Sequence, residues 1–489
     1  MNNLSSDLKN TLNKKFCRKN LIVPIFEEKT KIIIYAKRED SILAYNLSEM
    51  LGKNIEILVK DEETILKEID KLFEENEDPE IVKEINRIFK NKKEEFNFDD
   101  DSKDSPVVKV LNYILDEAIS KNASDIHIEH LKDYILIRYR IDGSLLEMVK
   151  FPTVLYPYLI TRIKVLSRLD IAEKRLPQDG RFSYLFRGRN IDIRVALSPT
   201  SYGEKVVFRI LDVNRVDYTP EGIGLSGENY KKVLTLINQP QGLILITGPT
   251  SSGKTSTLYT LLKFIASSQI NIMTIEDPIE YKMEGINQIE VNENTGLSFE
   301  LGLKSILRMD PDKIMIGEIR NRETAHIAIS ASITGHQVFS TIHTENSPAV
   351  VGRLVDMGIE PYLVSAGLLG VISQRLIKKL CPICKEKYIS KDPILKGKEI
   401  YKHCGCPRCN GGYLGRKAVF EIMIVDEKMK EMIAGKESLA KIKTYAISEG
   451  MKTLSHEIKK LIENGETSLD EYYRNINTIG EIWILITRP

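Results

Sequence analysis

The sequence predicts an α/β protein built on a parallel sheet, preceded by a small amino-terminal domain and a second α+β domain, and followed by a four-cysteine module. Three observations carry that reading. Leu243-Ile244-Leu245-Ile246 is a short apolar run between glycines, the pattern of a strand buried on both faces. It opens directly into Gly248-Pro249-Thr250-Ser251-Ser252-Gly253-Lys254-Thr255. Three later runs, at 271–275, 313–316 and 337–341, each deliver an acid or a histidine just beyond their ends. Cys381-Pro382-Ile383-Cys384 and Cys406-Pro407-Arg408-Cys409 form two C-x-x-C pairs.

In chain order, Leu21-Ile22-Val23-Pro24 and 31–35 read as strands, while 46–51 and 62–73 have helical spacing. Residues 1–75 are therefore expected as a small α+β adaptor domain. The stretch 76–104, dominated by Glu, Lys, Asp and Asn, reads as a solvated linker. Ser105-Pro106 then supplies a cap and a first-turn proline, and Val107, Leu111, Ile114, Leu115 and Ala118 give the helix an apolar face. Alternation in Asp125-Ile126-His127-Ile128-Glu129 and in 134–140 predicts a half-buried sheet. Arg181, Arg187, Arg189, Arg194 and Arg209 are interleaved with its later strands. Residues 105–215 thus form a second, arginine-rich domain, 216–378 the parallel-sheet core, 379–420 the cysteine module and 421–489 a helical region. The last part of that region, after Asn475, carries the only tryptophan, Trp483, and has no evident role.

Composition narrows the class. Seventy basic residues against sixty-nine acidic leave a formal charge of +1, so no global field recruits nucleic acid or anionic lipid. No apolar run approaches a membrane span, and the first residues lack the apolar core of a signal peptide. The chain is expected in the cytoplasm, where six cysteines are thiols or metal ligands rather than disulfides.

The glycine loop fits G-x-x-x-x-G-K-[ST] without a gap, between strand and helix, which is the order phosphate binding needs. Gly248 and Gly253 let the backbone N–H groups and the positive helix end face phosphate. Residues 248–256 (through Ser256) are the candidate ATP-binding set, with Lys254 reaching the β/γ-phosphates and the Thr255 hydroxyl on Mg²⁺. Ligands bind beyond the carboxyl ends of parallel strands, so Glu276, Asp277, Glu318 and His343 belong to the same site. Glu318 is the candidate for polarising water. Glu276 or Asp277 holds Mg²⁺ directly, or the ion is held through water. His336 and His343 are candidates for sensing the γ-phosphate. An arginine from outside the loop helps phosphoryl transfer most, and Arg181, Arg194, Arg209 and Arg320 are the candidates. The two C-x-x-C pairs suit one tetrahedral Zn²⁺ on Cys381, Cys384, Cys406 and Cys409, with His403 or Cys404 able to replace a member of the second pair.

At these residues the chain resembles the secretion-ATPase superfamily of GspE/PilB type, the motors of type II secretion and type IV pilus assembly. The motifs are the glycine loop, NIMTIEDPIEY (271–281), ILRMDPDKIMIGEIR (306–320), TGHQVFSTIHT (334–344), RLPQDGR, GEKVVFRIL and CPIC with GCPRC. The resemblance implies a RecA-like P-loop ATPase core behind a PAS-like domain. It also implies a homo-hexamer with ATP sites between subunits, Arg181 and Arg194 approaching from the companion domain, and Glu318 as the hydrolytic acid. Inner-membrane platform and adaptor proteins are the implied partners, which would hold the chain at the inner face of the membrane. Ser251, Met309, Asn321, Gln337 and Glu345 depart from the usual pattern without removing a phosphate or metal ligand. A nucleic-acid motor is disfavoured by the charge balance, so no direct nucleic-acid contact is expected. A pilus-retraction motor typically lacks the cysteine module.

Overall fold

The computed structural model describes residues 14–28, 30–73, 105–212, 217–406 and 408–476, with Leu4, Leu8, Thr11 and Leu12. The acidic linker at 76–104 and the tail bearing Trp483 lie outside the described residues. The chain divides into two compact units. One comprises residues 1–210 with 381–384 and 404–413; the other comprises 211–380, 385–403 and 414–489.

The first unit opens with three strands, β1 (Ile22–Glu27), β2 (Lys31–Ala36) and β3 (Asn54–Val59), in that order across a sheet. β1 and β2 are antiparallel, whereas β3 lies parallel to β2. Parallel pairing requires a crossover, here the helix Ser41–Leu51. That helix starts five residues before the expected 46 because Asp40 accepts from the N–H groups of Ile42 and Leu43.

Residues 105–212 combine helices with one six-stranded sheet. β4 (Asp125–His130), β5 (Tyr134–Ile141), β6 (Ser144–Pro152), β7 (Gln178–Phe186), β8 (Arg189–Thr200) and β9 (Gly203–Leu211) form one sheet of order β6-β5-β4-β9-β8-β7. Its core joins Ile114 and Ile163, from the helices Pro106–Ser120 and Tyr156–Ser167, to Ile128, Ile193 and Phe208 of the strands. Alternate residues of β8 point away from that core, including Arg194.

The second unit is organised on seven strands among the described residues. They are β10 (Gly242–Thr247), β11 (Ile272–Glu276), β12 (Asn287–Glu290), β13 (Lys313–Ile316), β14 (Gln337–Ile342), β15 (Leu368–Leu380) and β18 (Tyr413–Ile424). Their order is β12-β11-β13-β14-β10-β15-β18. β10 is parallel to both β14 and β15, and β13 is parallel to β11 and β14. Leu243 and Leu245 enter one apolar cluster, Ile244 and Ile246 the other. The sheet is therefore covered on both faces, which is why β10 reads as an unbroken apolar run. Between the cysteine pairs lies a short antiparallel hairpin, β16 (Glu386–Ile389) with β17 (Glu399–Lys402).

One expected boundary moves. The cysteine module was placed at 379–420, yet β15 extends to Leu380 and β18, from Tyr413, is an edge strand of the core sheet. The buried run Ala418 to Met423 drives that strand into the sheet instead of leaving it with the cysteines. No described helix is long and apolar enough to cross a membrane.

Candidate nucleotide-hydrolysis site

β10 delivers the loop at its carboxyl end, and the helix Lys254–Ile265 begins at the lysine. Gly248 has φ +153°, and a Cβ there would stand 2.5 Å from the Gln374 carbonyl oxygen. Gly253 has φ +89° and faces the Gln374 side chain, 2.9 Å from where a Cβ would lie. Both positions therefore need glycine for conformation and for space. Ser251 also adopts positive φ, at 63°, a conformation that glycine takes at no steric cost. Pro249 and Thr250 complete the turn, Thr255 is exposed on the first turn of the helix, and the Ser256 carbonyl accepts from Thr260. Ser252 Oγ is buried without a protein partner, as suits a loop shaped for phosphate.

Lys254 Nζ donates to the carbonyls of Gly248 at 2.9 Å and Pro249 at 3.0 Å. Burial pushes its pKa down to about 8, Arg375 adds to that, and Glu318 opposes it. A phosphate arriving here meets a poorly solvated ammonium, an arrangement that strengthens their attraction.

Glu318 follows β13 and is paired with Arg320, while His343 Nε2 lies 3.7 Å from its other carboxylate oxygen. Arg320 also lies 4.0 Å from Asp277. Burial, with Lys254 and Arg320 nearby, holds the His343 imidazole below the usual histidine range against the pull of Glu318. His343 is thus neutral at pH 7. Its loop is anchored to the phosphate-loop strand, since Thr247 Oγ1 bonds to Thr344 Oγ1 at 2.8 Å and accepts from Thr344 N–H at 2.9 Å. His336 lies at the opposite end of β14, its Nδ1 against the Ala331 carbonyl, away from the phosphate loop.

Glu276 departs from expectation. It is the last residue of β11 itself, 3% exposed, and its carboxylate accepts from Tyr259, Thr274 Oγ1 (2.6 Å) and Gln288 Nε2 (3.0 Å). Its oxygens are taken up by the protein because the strand runs one residue further than its apolar pattern indicates. The neighbouring Asp277 is the exposed carboxylate.

The sequence reading missed Gln374 and Arg375 on β15. Gln374 accepts from Thr257 Oγ1 at 2.7 Å and floors both loop glycines; Arg375, 8% exposed, donates to the carbonyls of Gln374 and Glu345. Three polar residues, Ser373-Gln374-Arg375, interrupting an apolar strand were the available signal. Two of the departures are explained. Asn321 caps the helix Arg322–Ile333 by accepting from Thr324 N–H, and Gln337 donates to the Leu236 and Gln239 carbonyls.

In the first unit, Arg181 and Arg194 are directly opposite each other in the β7–β8 ladder. Arg209 is committed to Asp125 at 3.2 Å. The sulfurs of Cys381, Cys384, Cys406 and Cys409 lie within 4.8 Å of one another, and no disulfide joins any of the six cysteines. Three of their separations are 3.9, 3.7 and 3.6 Å. Four thiolates on a tetrahedral Zn²⁺ with bonds of about 2.3 Å would lie about 3.8 Å apart. Backbone N–H groups of Gly405, Cys406 and Gly412 point at the Cys384 and Cys409 sulfurs, as outer-shell donors to thiolates do. The donor set therefore fits a closed zinc site. His403 instead pairs with Asp470 at 3.2 Å, and the cluster does not include Cys404.

A glycine loop at the end of a parallel strand, with an acid and a histidine converging from the neighbouring strands, defines a P-loop nucleotide-hydrolysing core. The chain belongs to the Type II/IV secretion system protein family, whose family model matches residues 100–474. It is 47% identical over 346 residues to the type II secretion system protein E of Dickeya dadantii, covering 69% of this chain and 70% of that protein. It is 39% identical over 482 residues to the type IV pilus assembly ATPase PilB of Myxococcus xanthus, covering 94% and 85%. Among solved structures, the pilus retraction motor PilT with bound ADP superposes with a TM-score of 0.53 at 27% identity, over 75% of this chain and 97% of that one. The resemblance drawn from the motifs is borne out.

Proposed function

We propose that this chain is an ATP-hydrolysing motor of type II secretion or type IV pilus assembly. It works as a homo-hexamer at the inner face of the cell membrane, through platform and adaptor proteins. The observation that carries the chemistry is the placement of Glu318 and His343 beside Lys254 at one end of the sheet. The loop N–H groups and Lys254 hold the β/γ-phosphates. Glu318 orients the attacking water and takes up its proton. His343, neutral, reports on the γ-phosphate without adding a charge, and Arg320 holds Glu318 in place. Mg²⁺ bound through Thr255, with Asp277 as the exposed carboxylate, would neutralise charge developing on the phosphates. Arg181 and Arg194 of a neighbouring subunit would stabilise the transferring phosphoryl group. The four cysteines, read as a zinc site, favour the assembly class over the retraction class, and the α+β architecture of 105–212 supports the PAS-like reading.

Lys254→Ala should abolish turnover and weaken ATP binding by about 1.5–3 kcal/mol, the loss of a charge-assisted contact. Glu318→Gln should bind ATP as the parent does but turn over at least a hundredfold slower. Parent-rate hydrolysis by the Gln variant would remove Glu318 from its role.

A further inference from the structure

Glu421 is buried in β18, 2% exposed, and none of the motifs above includes it. Its two carboxylate oxygens serve two different elements. Oε1 accepts from the Ser347 N–H at 2.7 Å, and Oε2 accepts from the Leu454 N–H at 3.2 Å. Ser347 lies in the loop that runs from His343 to Pro348, and Leu454 is the first residue of the helix Leu454–Glu463. We propose that Glu421 is a positioning residue for hydrolysis, fixing the His343 loop against the first turn of that carboxyl-terminal helix so that the two move together.

The chemistry requires a carboxylate. A buried charge persists only where hydrogen bonds and opposite charge replace water. Two N–H donors converge on Glu421, and burial pushes the Arg375 pKa down while Glu421 and Glu345 pull it back up. The loop is held along its length. Thr344 is tied to Thr247, the Glu345 carbonyl accepts from Arg375 at 2.6 Å, and Ser347 Oγ donates to the Glu421 carbonyl at 2.9 Å. Ser347 stands only four residues from His343, so its seat on Glu421 is one of the anchors that fix this short loop.

The helix end is equally specific. The first N–H groups of a helix have no partner within it. Thr453 Oγ1 accepts from His456 N–H, leaving the Leu454 N–H to Glu421, and a negative charge is favourable at this end. Beyond the cap, Leu454, Ile458, Leu461 and Ile462 pack with Ile377, Val419 and Tyr472. A force on this helix therefore arrives at one side of a carboxylate whose other side seats the histidine loop.

The inference rests on the hydrolytic reading, and the experiment separates the two. ATP turnover and nucleotide affinity are measured for Glu421→Gln in the parent chain and in a His343→Ala background. An amide keeps the shape but accepts through one oxygen only, so one of the two N–H groups loses its partner. Expected is a roughly tenfold fall in kcat with Kd unchanged within about twofold, and no further fall when His343 is already alanine. Equal losses in both backgrounds, or no loss in the parent, overturn the proposal. Leu454→Pro provides the second variant. Proline suits the first helical position, the preceding Thr453 already has ψ 156°, and the substitution removes the N–H that Glu421 receives. It too should lower kcat only while His343 is present, and a loss independent of His343 overturns the proposal. A parent chain without Lys254-dependent hydrolysis would instead refute the underlying reading.

Discussion

His343 Nε2 stands 3.7 Å from Glu318 Oε2 while Arg320 grips the other carboxylate oxygen, so the acid is held between a cation and a neutral imidazole. With burial, Lys254 and Arg320 depressing the His343 pKa, the charged imidazole is disfavoured in the folded chain relative to the unfolded one. The unfolded state then binds more protons once the pH drops below about 6.5, and stability falls as acidity increases. His343→Gln removes that contribution. Thermal melts should therefore show the variant gaining on the parent between pH 8 and 5, modestly, because the ring is half exposed. A constant difference in Tm across this range would mean that His343 is not held neutral.

Arg181 and Arg194 occupy opposite positions on β7 and β8, and like charges there repel by roughly 0.2–1 kcal/mol. Arg181→Ala should leave Tm unchanged or slightly raised while turnover drops by about 10³ or more. Mixing Arg194→Ala subunits with Glu318→Gln subunits should restore part of the activity, since some interfaces then combine an intact acid with an intact arginine. Confirmed co-assembly without rescue would argue that each chain works alone.

The four sulfurs predict about one zinc per chain in protein purified without chelator. Cys381→Ser combined with Cys409→Ser should abolish the metal and expose the cysteine segment to limited proteolysis, with Cys404 intact in both preparations. Metal analysis that finds zinc retained would point to ligands outside the cluster.

Much of the site was legible because its parts lie at the ends of strands whose apolar runs are plain in the sequence. The glycine loop, Glu318 and His343 follow that rule, while the cysteine pairs were legible from their C-x-x-C spacing alone. Long-range polar contacts were not legible. Nothing local marks Glu276 as the acceptor for Tyr259, seventeen positions away, or Gln374 as the floor under Gly248. β3 was missed because Asn54-Ile55-Glu56-Ile57-Leu58-Val59 ends in consecutive apolar residues and is largely exposed. β18 was assigned to the cysteines because membership of a sheet depends on a partner far along the chain.

That last strand gives the cysteine segment a topological meaning. β15 ends at Leu380, β18 begins at Tyr413, and the two are neighbours in the sheet, with Cys381 N–H donating to the Gly412 carbonyl where the excursion closes. Everything between is a detour of about thirty residues whose closure costs on the order of 3 kcal/mol in chain entropy. With the four sulfurs gathered within 4.8 Å of one another, the free part of that detour is the stretch between Cys384 and Cys406, and the strand that follows it is the one that carries Glu421.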